Sequence, residues 1–387
     1  MDEIIITIII ISVCLIIMWL FDFLNKKSKS NDSSKYGFNN RPEKIYQEED
    51  HVTCILCLRS GYILSGQMNG MVAVYNSKDL SPVTLIVEHC EPISSLFELN
   101  DGTILISSAE GVLTKIRLFL NEGNKRNKDK KYLVEYVFYT NKEFIFKSIQ
   151  IKNSDDILSC DITKELILWK KNDNENEIEL YKVHKILLKD EVVWDIFQIN
   201  DNNFLTSGET LQCWDIKKYL SIKKMKYICK GTNSIYKLSD ELTGIILQSK
   251  GDILIFNNNN LIDEKIINLS EYSLSTLKLL SNNIIVVGIF DEENKRSFIN
   301  QYRFNIETQK LVTEKTKDFK QLEIILIKTS EFNCTNNIIS KESNWSRINA
   351  IEQTDDHVIF GIGGQENKKE IGKLIIYQKN KAKINFS

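Results

Sequence analysis

The sequence has no excess of charge of either sign and contains few histidines and prolines. Its 387 residues include 50 Lys and Arg, 52 Asp and Glu, 4 His and 3 Pro, and the formal net charge is −2. Proteins that bind nucleic acid usually carry a basic face or a basic overall balance. The charge balance therefore argues against nucleic acid as a partner.

The cysteines do not follow a pattern typical of a disulfide framework or a zinc site. Cys54 and Cys57 form a C-x-x-C with no second pair, and side chains three residues apart on a strand point to opposite faces. Most of the others lie in apolar runs, where a free thiol behaves as a small hydrophobic group. We therefore expect buried packing rather than metal binding. The eight cysteines are Cys14, Cys54, Cys57, Cys90, Cys160, Cys213, Cys229 and Cys334.

Catalytic motifs are also missing. No G-x-S-x-G, P-loop or dinucleotide-binding glycine pattern occurs, and the cluster Gly361-Ile362-Gly363-Gly364 stands beside an apolar run with no helix pattern after it. The adjacent acids Asp291, Glu292 and Glu293 are expected to face water. The sequence thus predicts no catalytic residues, no cofactor, no small-molecule substrate and a protein that is not an enzyme.

The four histidines do not have the spacing of metal ligands. His51 and His89 occupy equivalent positions of a repeat described below, so we expect each to make a structural hydrogen bond within its repeat. His184 is placed in a linker before the strand that contains Trp194, and His357 falls inside an apolar strand. No histidine is therefore assigned to a metal or catalytic site.

One long apolar run stands at the amino terminus. Ile4–Phe21 is eighteen residues without a charge, and a helix of that length covers roughly 27 Å, enough to span a bilayer. A cleaved signal peptide would begin with basic residues and end in small ones, whereas this run follows Asp2 and Glu3 and ends in aromatic residues. We therefore predict an uncleaved transmembrane anchor at residues 1–24.

The charges that flank this run predict its orientation. Basic residues follow the span and acidic residues precede it, so the positive-inside rule places the carboxy-terminal side in the cytosol. Residues 25–41 are polar and read as a flexible stalk whose ends lie on the order of 25 Å apart. The endoplasmic reticulum or another endomembrane is favoured, and the mitochondrial outer membrane stays open. The basic residues are Lys26, Lys27, Lys29, Lys35, Arg41 and Lys44.

The rest of the chain, residues 42–387, is a repeat array. His51–Tyr75 contains three strand-sized apolar runs separated by turns at Gly61 and Gly70, and His89–Leu118 repeats this layout with its glycines 41 residues further on. A period near 40 with short strands is typical of propeller blades.

The apolar run that closes each unit predicts seven blades. Six of its seven last residues are aromatic, and a glycine stands five residues before four of them, where we expect it to form a tight hairpin turn. Glycines occupy that position at Gly70, Gly111, Gly251 and Gly372. The last residues are Tyr75, Ile116, Trp169, Trp214, Phe256, Tyr302 and Tyr377. We therefore predict an all-β, seven-bladed propeller of four-stranded antiparallel blades.

Two units carry insertions. Asn121–Lys131 is a charged segment without aromatic residues, which favours a solvated loop over a nucleic-acid or lipid patch. The second insertion lies between Lys317 and Trp345, and its apolar run Glu323–Lys328 is interpreted as an outer strand.

These residues resemble the WD-repeat propeller family over roughly Pro42–Tyr377. The resemblance depends on the repeated histidine, on the terminal aromatic residue and on Trp214-Asp215, the WD dipeptide; Asp161 matches the family's turn aspartate. Small pairs also precede the hairpin turn, namely Ser65-Gly66, Ser107-Ser108 and Ser207-Gly208. The resemblance implies that a terminal strand closes the ring, for which Glu43–Gln47 and Lys381–Phe386 are the two candidates.

The expected function is a membrane-anchored, cytosol-facing propeller that acts as a non-enzymatic protein-protein interaction scaffold. Its rim loops would hold a protein partner, and Ile4–Phe21 would hold the membrane. An alternative is a guanine-nucleotide exchange factor for a small GTPase, similar to the membrane-anchored propeller that starts COPII vesicle coats, although that family places its helix after the propeller. A less favoured hypothesis, a luminal propeller hydrolase, needs inverted topology and a cluster of acids with Arg or His at the ring centre.

The predicted topology is tested by glycosylation. If the propeller faces the cytosol, Asn268 and Asn344 of the intact chain stay unmodified, so glycosidase treatment leaves the electrophoretic mobility unchanged. As a positive control, a sequon on an extension added before Met1 should be modified because that end faces the lumen. Glycosidase sensitivity at Asn268 or Asn344 would overturn the orientation.

Overall fold

The structure is a computed structural model that describes residues 42–119, 131–139, 144–171, 181–187, 191–229, 231, 234–281, 283–293, 296–304, 324–332, 345–366 and 369–379. Within these ranges, no helix is long and apolar enough to span a membrane. The predicted anchor and stalk, nearly all of Asn121–Lys131 and the candidate closing strand Lys381–Phe386 lie outside them.

The described residues form 28 strands in seven four-stranded antiparallel sheets, here called blades 1–7, with strands a to d from the centre outwards. Blade 1 consists of Val52–Cys57 (β2), Tyr62–Gln67 (β3), Met71–Asn76 (β4) and Pro82–Val87 (β5). Blade 2 consists of Ile93–Glu98 (β6), Ile104–Ser108 (β7), Val112–Leu118 (β8) and Tyr132–Tyr139 (β9). Blade 3 consists of Ile145–Gln150 (β10), Ile157–Asp161 (β11), Glu165–Lys171 (β12) and Tyr181–Leu187 (β13).

Blade 4 consists of Val193–Gln198 (β14), Asn203–Gly208 (β15), Leu211–Asp215 (β16) and Leu220–Met225 (β17). Blade 5 consists of Ile235–Lys237 (β18), Leu242–Ile246 (β19), Asp252–Asn257 (β20) and Ile262–Asn268 (β21). Blade 6 consists of Ser273–Leu279 (β22), Ile284–Asp291 (β23), Arg296–Phe304 (β24) and Ile324–Phe332 (β25). Blade 7 consists of Trp345–Gln353 (β26), His357–Glu366 (β27), Lys369–Gln378 (β28) and Lys44–Glu48 (β1).

This arrangement confirms the predicted all-β propeller with seven blades of four strands. Each of the seven predicted closing residues lies in strand c of its blade, from Tyr75 in β4 to Tyr377 in β28. The apolar run of the second insertion is confirmed as an outer strand, because β25 pairs with β24 at the edge of blade 6.

The core lies between the blades. In the described residues, seven apolar clusters occupy the seven junctions between neighbouring blades. Cys54 packs into the cluster between blades 1 and 2, and Cys57 packs into the one between blades 7 and 1. The two thiols therefore point to opposite faces as predicted, and burial raises the pKa of Cys54 to about 11.

Glycines make the b–c hairpin turns of the first two blades. Gly70 has a φ of 84° and Gly111 a φ of 78°, the left-handed region that favours glycine. A Cβ on Gly70 would also stand 2.5 Å from the carbonyl oxygen of His89. The turn prediction is thus confirmed at these two positions.

The same prediction is wrong for Gly372. This residue lies inside β28, paired with Glu48 on one side and Gly363 on the other, because the hairpin of blade 7 extends well beyond the turns of the other blades. A Cβ at Gly372 would stand 1.8 Å from the carbonyl oxygen of Asp50. Glycine is needed there for close backbone approach.

The amino-terminal strand closes the ring. β1 pairs with β28 over its whole length, from Lys44 opposite Ile376 to Glu48 opposite Gly372. The sequence assigned this role to Glu43–Gln47 as one of two candidates, and the pairing confirms it. Closure covers the outer edge of β28 and gives blade 7 its fourth strand.

Glu48 joins the closing strand to blade 1 as well as to blade 7. Its carboxylate is 6% exposed and accepts hydrogen bonds from Gln67 Nε2 and Tyr75 Oη, both at 2.8 Å. The Tyr46 ring packs beside that of Tyr75, with 4.5 Å between the ring centroids. The closing strand is thus held by backbone pairing to blade 7 and by side chains of blade 1.

Replacing Glu48 should change how stability depends on pH. Burial raises the pKa of Glu48 above its ordinary value of 4.5 despite the Tyr75 hydrogen bond, so the folded chain holds this proton more tightly than the unfolded chain. This group's contribution to stability therefore falls as the pH rises above 4.5. Urea unfolding measures the unfolding free energy at about pH 5 and about pH 7.5. Between these two pH values the unfolding free energy should fall less in Glu48→Gln than in the wild type.

The exposed residue Glu209, in the b–c turn of blade 4, supplies the control. Glu209→Gln should retain the wild-type dependence of the unfolding free energy on pH. If Glu48→Gln and Glu209→Gln both showed the same dependence as the wild type, the buried carboxylate would have no part in it.

Candidate functional site

Bulges in the a strands shape the wall of the central channel. Six of the seven described a strands carry a register shift at the same place, for example between Val193 and Asp195 in β14. Opposite the residue after each bulge stands a small residue of strand b. These small partners are Gly66, Ser107, Cys160, Ser207, Gly288 and Gly361. A bulge re-aims a side chain, and here it does so at one level of the ring.

Polar contacts join neighbouring blades at each of the seven junctions among the described residues, through the a strands or the residue directly before one. Examples are the Thr53 hydroxyl donating to Ile93 O at 2.5 Å and the Asn349 amide donating to Val52 O at 2.7 Å. The remaining junctions are bridged by Ser148 N to Ser95 Oγ, Lys147 to Asp195, Ser234 N to Asp195 Oδ2, Tyr236 Oη to Thr276 Oγ1, and Lys278 to Glu352. Six of these contacts form a polar belt near the bulges, and Lys278–Glu352 lies two residues further along its strands.

The channel cavity has a volume of about 270 Å³ and two unlike sides. Leu56, Phe97, Ile149 and Phe197 present apolar side chains from blades 1 to 4. Blades 6 and 7 present Lys278 and Glu352, whose Nζ and Oε2 atoms are 2.6 Å apart.

A second ion pair stands in the wall between blades 3 and 4. Asp195 is fully buried, and its Oδ2 accepts the backbone N–H groups of Ser234 at 2.7 Å and Ile235 at 3.0 Å. The Lys147 ammonium lies 3.3 Å from Oδ1, close enough for an ion pair but without hydrogen-bond geometry. The acid oxygens of this channel are thus already engaged by lysines and backbone amides.

The channel opens into a wider bowl on the face formed by the a–b loops. This cavity has a volume of about 850 Å³ and shares Phe97, Ile149 and Phe197 with the channel. Its rim comes from the a–b loops of blades 1 to 5 and from the c–d loop of blade 5. The bowl therefore has an apolar floor that continues into the channel.

Ion pairs neutralise the charged groups at the rim. Three cations face three acids, in the pairs Arg59–Glu98 at 3.2 Å, Lys152–Asp201 at 2.7 Å and Lys237–Asp240 at 2.6 Å. The hydrogen bond from Lys237 lowers the pKa of Asp240, which keeps that carboxylate charged. The bowl thus carries no excess charge among its lining residues.

Asparagines supply most of the remaining polar groups of the bowl. Asn200 and Asn258 hold the loops, since Asn200 Nδ2 donates to Asn258 O at 2.9 Å and Asn258 Nδ2 donates to Asp240 O at 3.1 Å. Asn100, Asn202 and Asn259 line the same bowl with exposed side chains. Each exposed amide offers both a donor and an acceptor to a ligand.

A repeated Glu or Gln near the end of the a strand was missed by the sequence analysis. Gln150 Oε1 accepts the N–H of Asn100 at 2.6 Å, and Gln198 Oε1 accepts the N–H of Lys152 at 2.7 Å. Glu98 and Gln353 do the same for Arg59 and Ser281. These contacts fix the a–b loops of blades 1, 2, 3 and 6 on the next blade. The signal was a Glu or Gln at the end of the a strands of blades 2, 3, 4 and 7, which follows an apolar residue in the first three.

The structure separates the four histidines. His89 Nδ1 contacts Glu110 Oε1 of blade 2 at 2.5 Å, as expected for a bond within the repeat. His51 instead reaches the neighbouring blade, where its Nε2 lies 2.6 Å from Gly364 O, because β27 packs directly against the start of blade 1. His357 is confirmed in a strand, β27, and contacts Glu43 at 3.1 Å.

Two sequence assignments in polar segments are wrong. His184 lies in the outer strand β13 and not in a linker, because the exposed d strands lack the apolar alternation that would reveal them. Asp291 ends β23, is 3% exposed and accepts the N–H of Glu293 at 3.0 Å, so it caps a turn instead of facing water.

The remaining motif residues have structural positions. Trp214 Nε1 donates to Thr206 Oγ1 at 2.8 Å, and Asp215 accepts the N–H of Lys218 at 2.8 Å, so Trp214 packs within its blade and Asp215 caps a turn. Asp161 accepts the N–H of Thr163 at 2.9 Å. The glycine cluster lies inside β27, where a Cβ on Gly361 would stand 2.5 Å from Val52 Cγ1. Among the described residues, no group of three His, Cys, Asp or Glu is placed to hold a metal ion.

Comparisons with known proteins identify the fold. No protein-family model matches the sequence, and no curated protein matches it. The Cps50 (Swd1) β-propeller domain from Myceliophteria thermophila is similar with a TM-score of 0.61 at 13% identity, over 87% of this chain and 98% of that chain. The chain has the fold of WD40 propellers. The WD40 repeats of RRP9 are similar with a TM-score of 0.61 at 11% identity, over 88% of this chain and 99% of theirs.

Removing the Asp195 carboxylate should strongly destabilise the propeller. Asp195→Ala leaves the Lys147 ammonium and two buried N–H groups without this acceptor, and breaking such a buried pair costs about 3–5 kcal/mol of unfolding free energy. Asp195→Asn keeps a carbonyl oxygen for the N–H groups and should lose less. Urea denaturation measures both changes.

The exposed pair Lys171–Asp155 serves as the control. Asp155→Ala should cost less than about 1 kcal/mol, because surface ion pairs are weak. Equal losses in Asp195→Ala and Asp155→Ala would show that the belt contact contributes nothing beyond a surface pair.

Proposed function

We propose that this chain is a non-enzymatic scaffold that holds a protein partner at a membrane surface. The bowl is the observation that carries the proposal, because it is a preformed concave site with an apolar floor and a neutral polar rim. Sites with these properties bind ligands through apolar contact and a small number of oriented polar groups. The similarity to WD40 propellers supports a platform of this kind.

The chemistry of the channel supports binding over catalysis. A general acid or base must reach the substrate with an oxygen or nitrogen that is available to exchange a proton. Asp195 and Glu352 instead hold the wall together through Lys147 and Lys278. The charged residues that line the channel are Lys147, Lys237, Lys278 and Glu352, which is not the cluster of acids with Arg or His that a propeller hydrolase needs.

The membrane part of the proposal depends on the apolar run Ile4–Phe21. The stalk joins the described chain at Pro42, directly before β1. Lys44 at the start of β1 donates to Leu80 O in the c–d loop of blade 1, and Glu43 contacts His357 at the a–b end of β27. The start of the described chain, to which the proposed stalk would be joined, therefore lies on the same face as the bowl, across the ring from it.

Proximity labelling from the intact chain tests this function. A labelling enzyme fused to the carboxy terminus should mark a reproducible set of membrane-associated proteins. A chain lacking residues 1–24 should lose that set, because the anchor would no longer place the propeller at the membrane. An unchanged set in the truncated chain would remove the membrane from the proposal.

Nucleotide release separates the scaffold from an exchange factor. The intact chain should not accelerate nucleotide release from any member of a panel of small GTPases, because a scaffold holds its partner without changing it. Accelerated release from one GTPase would replace the scaffold by an exchange factor.

A further inference from the structure

We propose that the bowl binds an extended, uncharged segment of a protein partner and that one large apolar side chain of this segment enters the channel mouth between Phe97 and Phe197. The inference rests on the proposed scaffold function and adds to it the binding face and the chemistry of the partner.

The floor of the bowl determines where the apolar side chain goes. Phe97, Ile149 and Phe197 line both the bowl and the channel, and all three lie on a strands at the same level of the ring. Phe97 and Phe197 also pack against the apolar clusters between the blades, which holds their rings in place. The cavity of about 270 Å³ beyond them has room for a single side chain rather than a second strand.

The difference between the two sides of the channel determines which wall the entering side chain contacts. The apolar arc comes from blades 1 to 4, and the Lys278–Glu352 pair stands on the opposite wall. Because that pair is already joined, a charged group entering the channel would displace it or remain unpaired and lose hydration. An apolar side chain against the arc avoids both costs.

The rim excludes strongly charged ligands. Arg59, Lys152 and Lys237 are each paired with an acid at 2.6 to 3.2 Å, so the rim presents no net positive charge to phosphate, nucleic acid or an acidic peptide. The three acids similarly offer no unpaired negative surface to a basic peptide. Charge complementarity therefore favours a segment whose net charge is close to zero.

The exposed amides favour a polypeptide over a compact small molecule. Asn100, Asn202 and Asn259 stand on the loops of three different blades, so a ligand must be elongated to reach them together. The peptide backbone carries one donor and one acceptor per residue, which matches amide side chains that offer both. An extended peptide satisfies these groups along its length while one side chain fills the floor.

A library of random peptides tests the inference. Phage-displayed twelve-residue peptides are panned against the intact chain in detergent. The enriched peptides should carry one large apolar residue and a net charge near zero. Asn202→Arg and Asn259→Arg should each weaken the binding of an enriched peptide at least tenfold, because each adds bulk and an unpaired charge to the rim. Fluorescence titration measures the change.

Asn260 provides the matched control, since it is exposed in the same c–d loop as Asn259 but does not line the bowl. Asn260→Arg should leave the binding unchanged. Highly charged enriched peptides, binding that is insensitive to both rim variants, or no enrichment at all would each overturn the inference.

Proximity labelling from the Asn202→Arg chain distinguishes failure of this inference from failure of the scaffold. If the enriched peptides are insensitive to the rim variants but the intact chain and the Asn202→Arg chain mark the same reproducible neighbours, the scaffold stands and the bowl is not its binding face. If the intact chain marks no reproducible neighbours either, both proposals are overturned.

Discussion

Every blade of this propeller buries its two faces against its two neighbours, and this constraint governs the rest of the structure. The apolar clusters lie between sheets and not within them, so no blade has a complete core of its own. Burial of roughly 25 cal/mol per Å² of apolar surface is therefore obtained only when neighbouring blades are in place. The closing strand β1 matters for this reason: it completes blade 7, and through Glu48 it also contacts blade 1.

Closure by an amino-terminal strand also determines how the chain can be attached to other structures. Because β1 runs away from the a–b loop face, a tether on its amino-terminal side approaches the propeller from the face that holds the bowl. A propeller closed by its carboxy-terminal strand alone would not impose this relation. With the proposed anchor and a proposed stalk of roughly 25 Å, a partner in the bowl would lie close to the membrane.

The repeat could be predicted from the sequence where burial selects residue type. Strand c is covered by neighbours on both faces, so its apolar runs marked all seven blades, and an aromatic residue ended six of these runs. The outer strands are half exposed, and for this reason His184 was misplaced. Gly372 was misread because a glycine in a turn and a glycine under a crossing backbone look the same in sequence.

The candidate site was less accessible from the sequence, because it depends on contacts between distant residues. Asp195 and Lys147 are 48 positions apart, and nothing local shows that bulges in two a strands aim them at each other. The ion pairs Lys147–Asp195 and Lys278–Glu352 hold neighbouring blades in register. The polar groups left over are the amides of the rim, and the accessible apolar surface is the floor beneath them. The charged pairs at the centre thus serve the assembly of the ring, which leaves amide groups and apolar surface to contact a ligand.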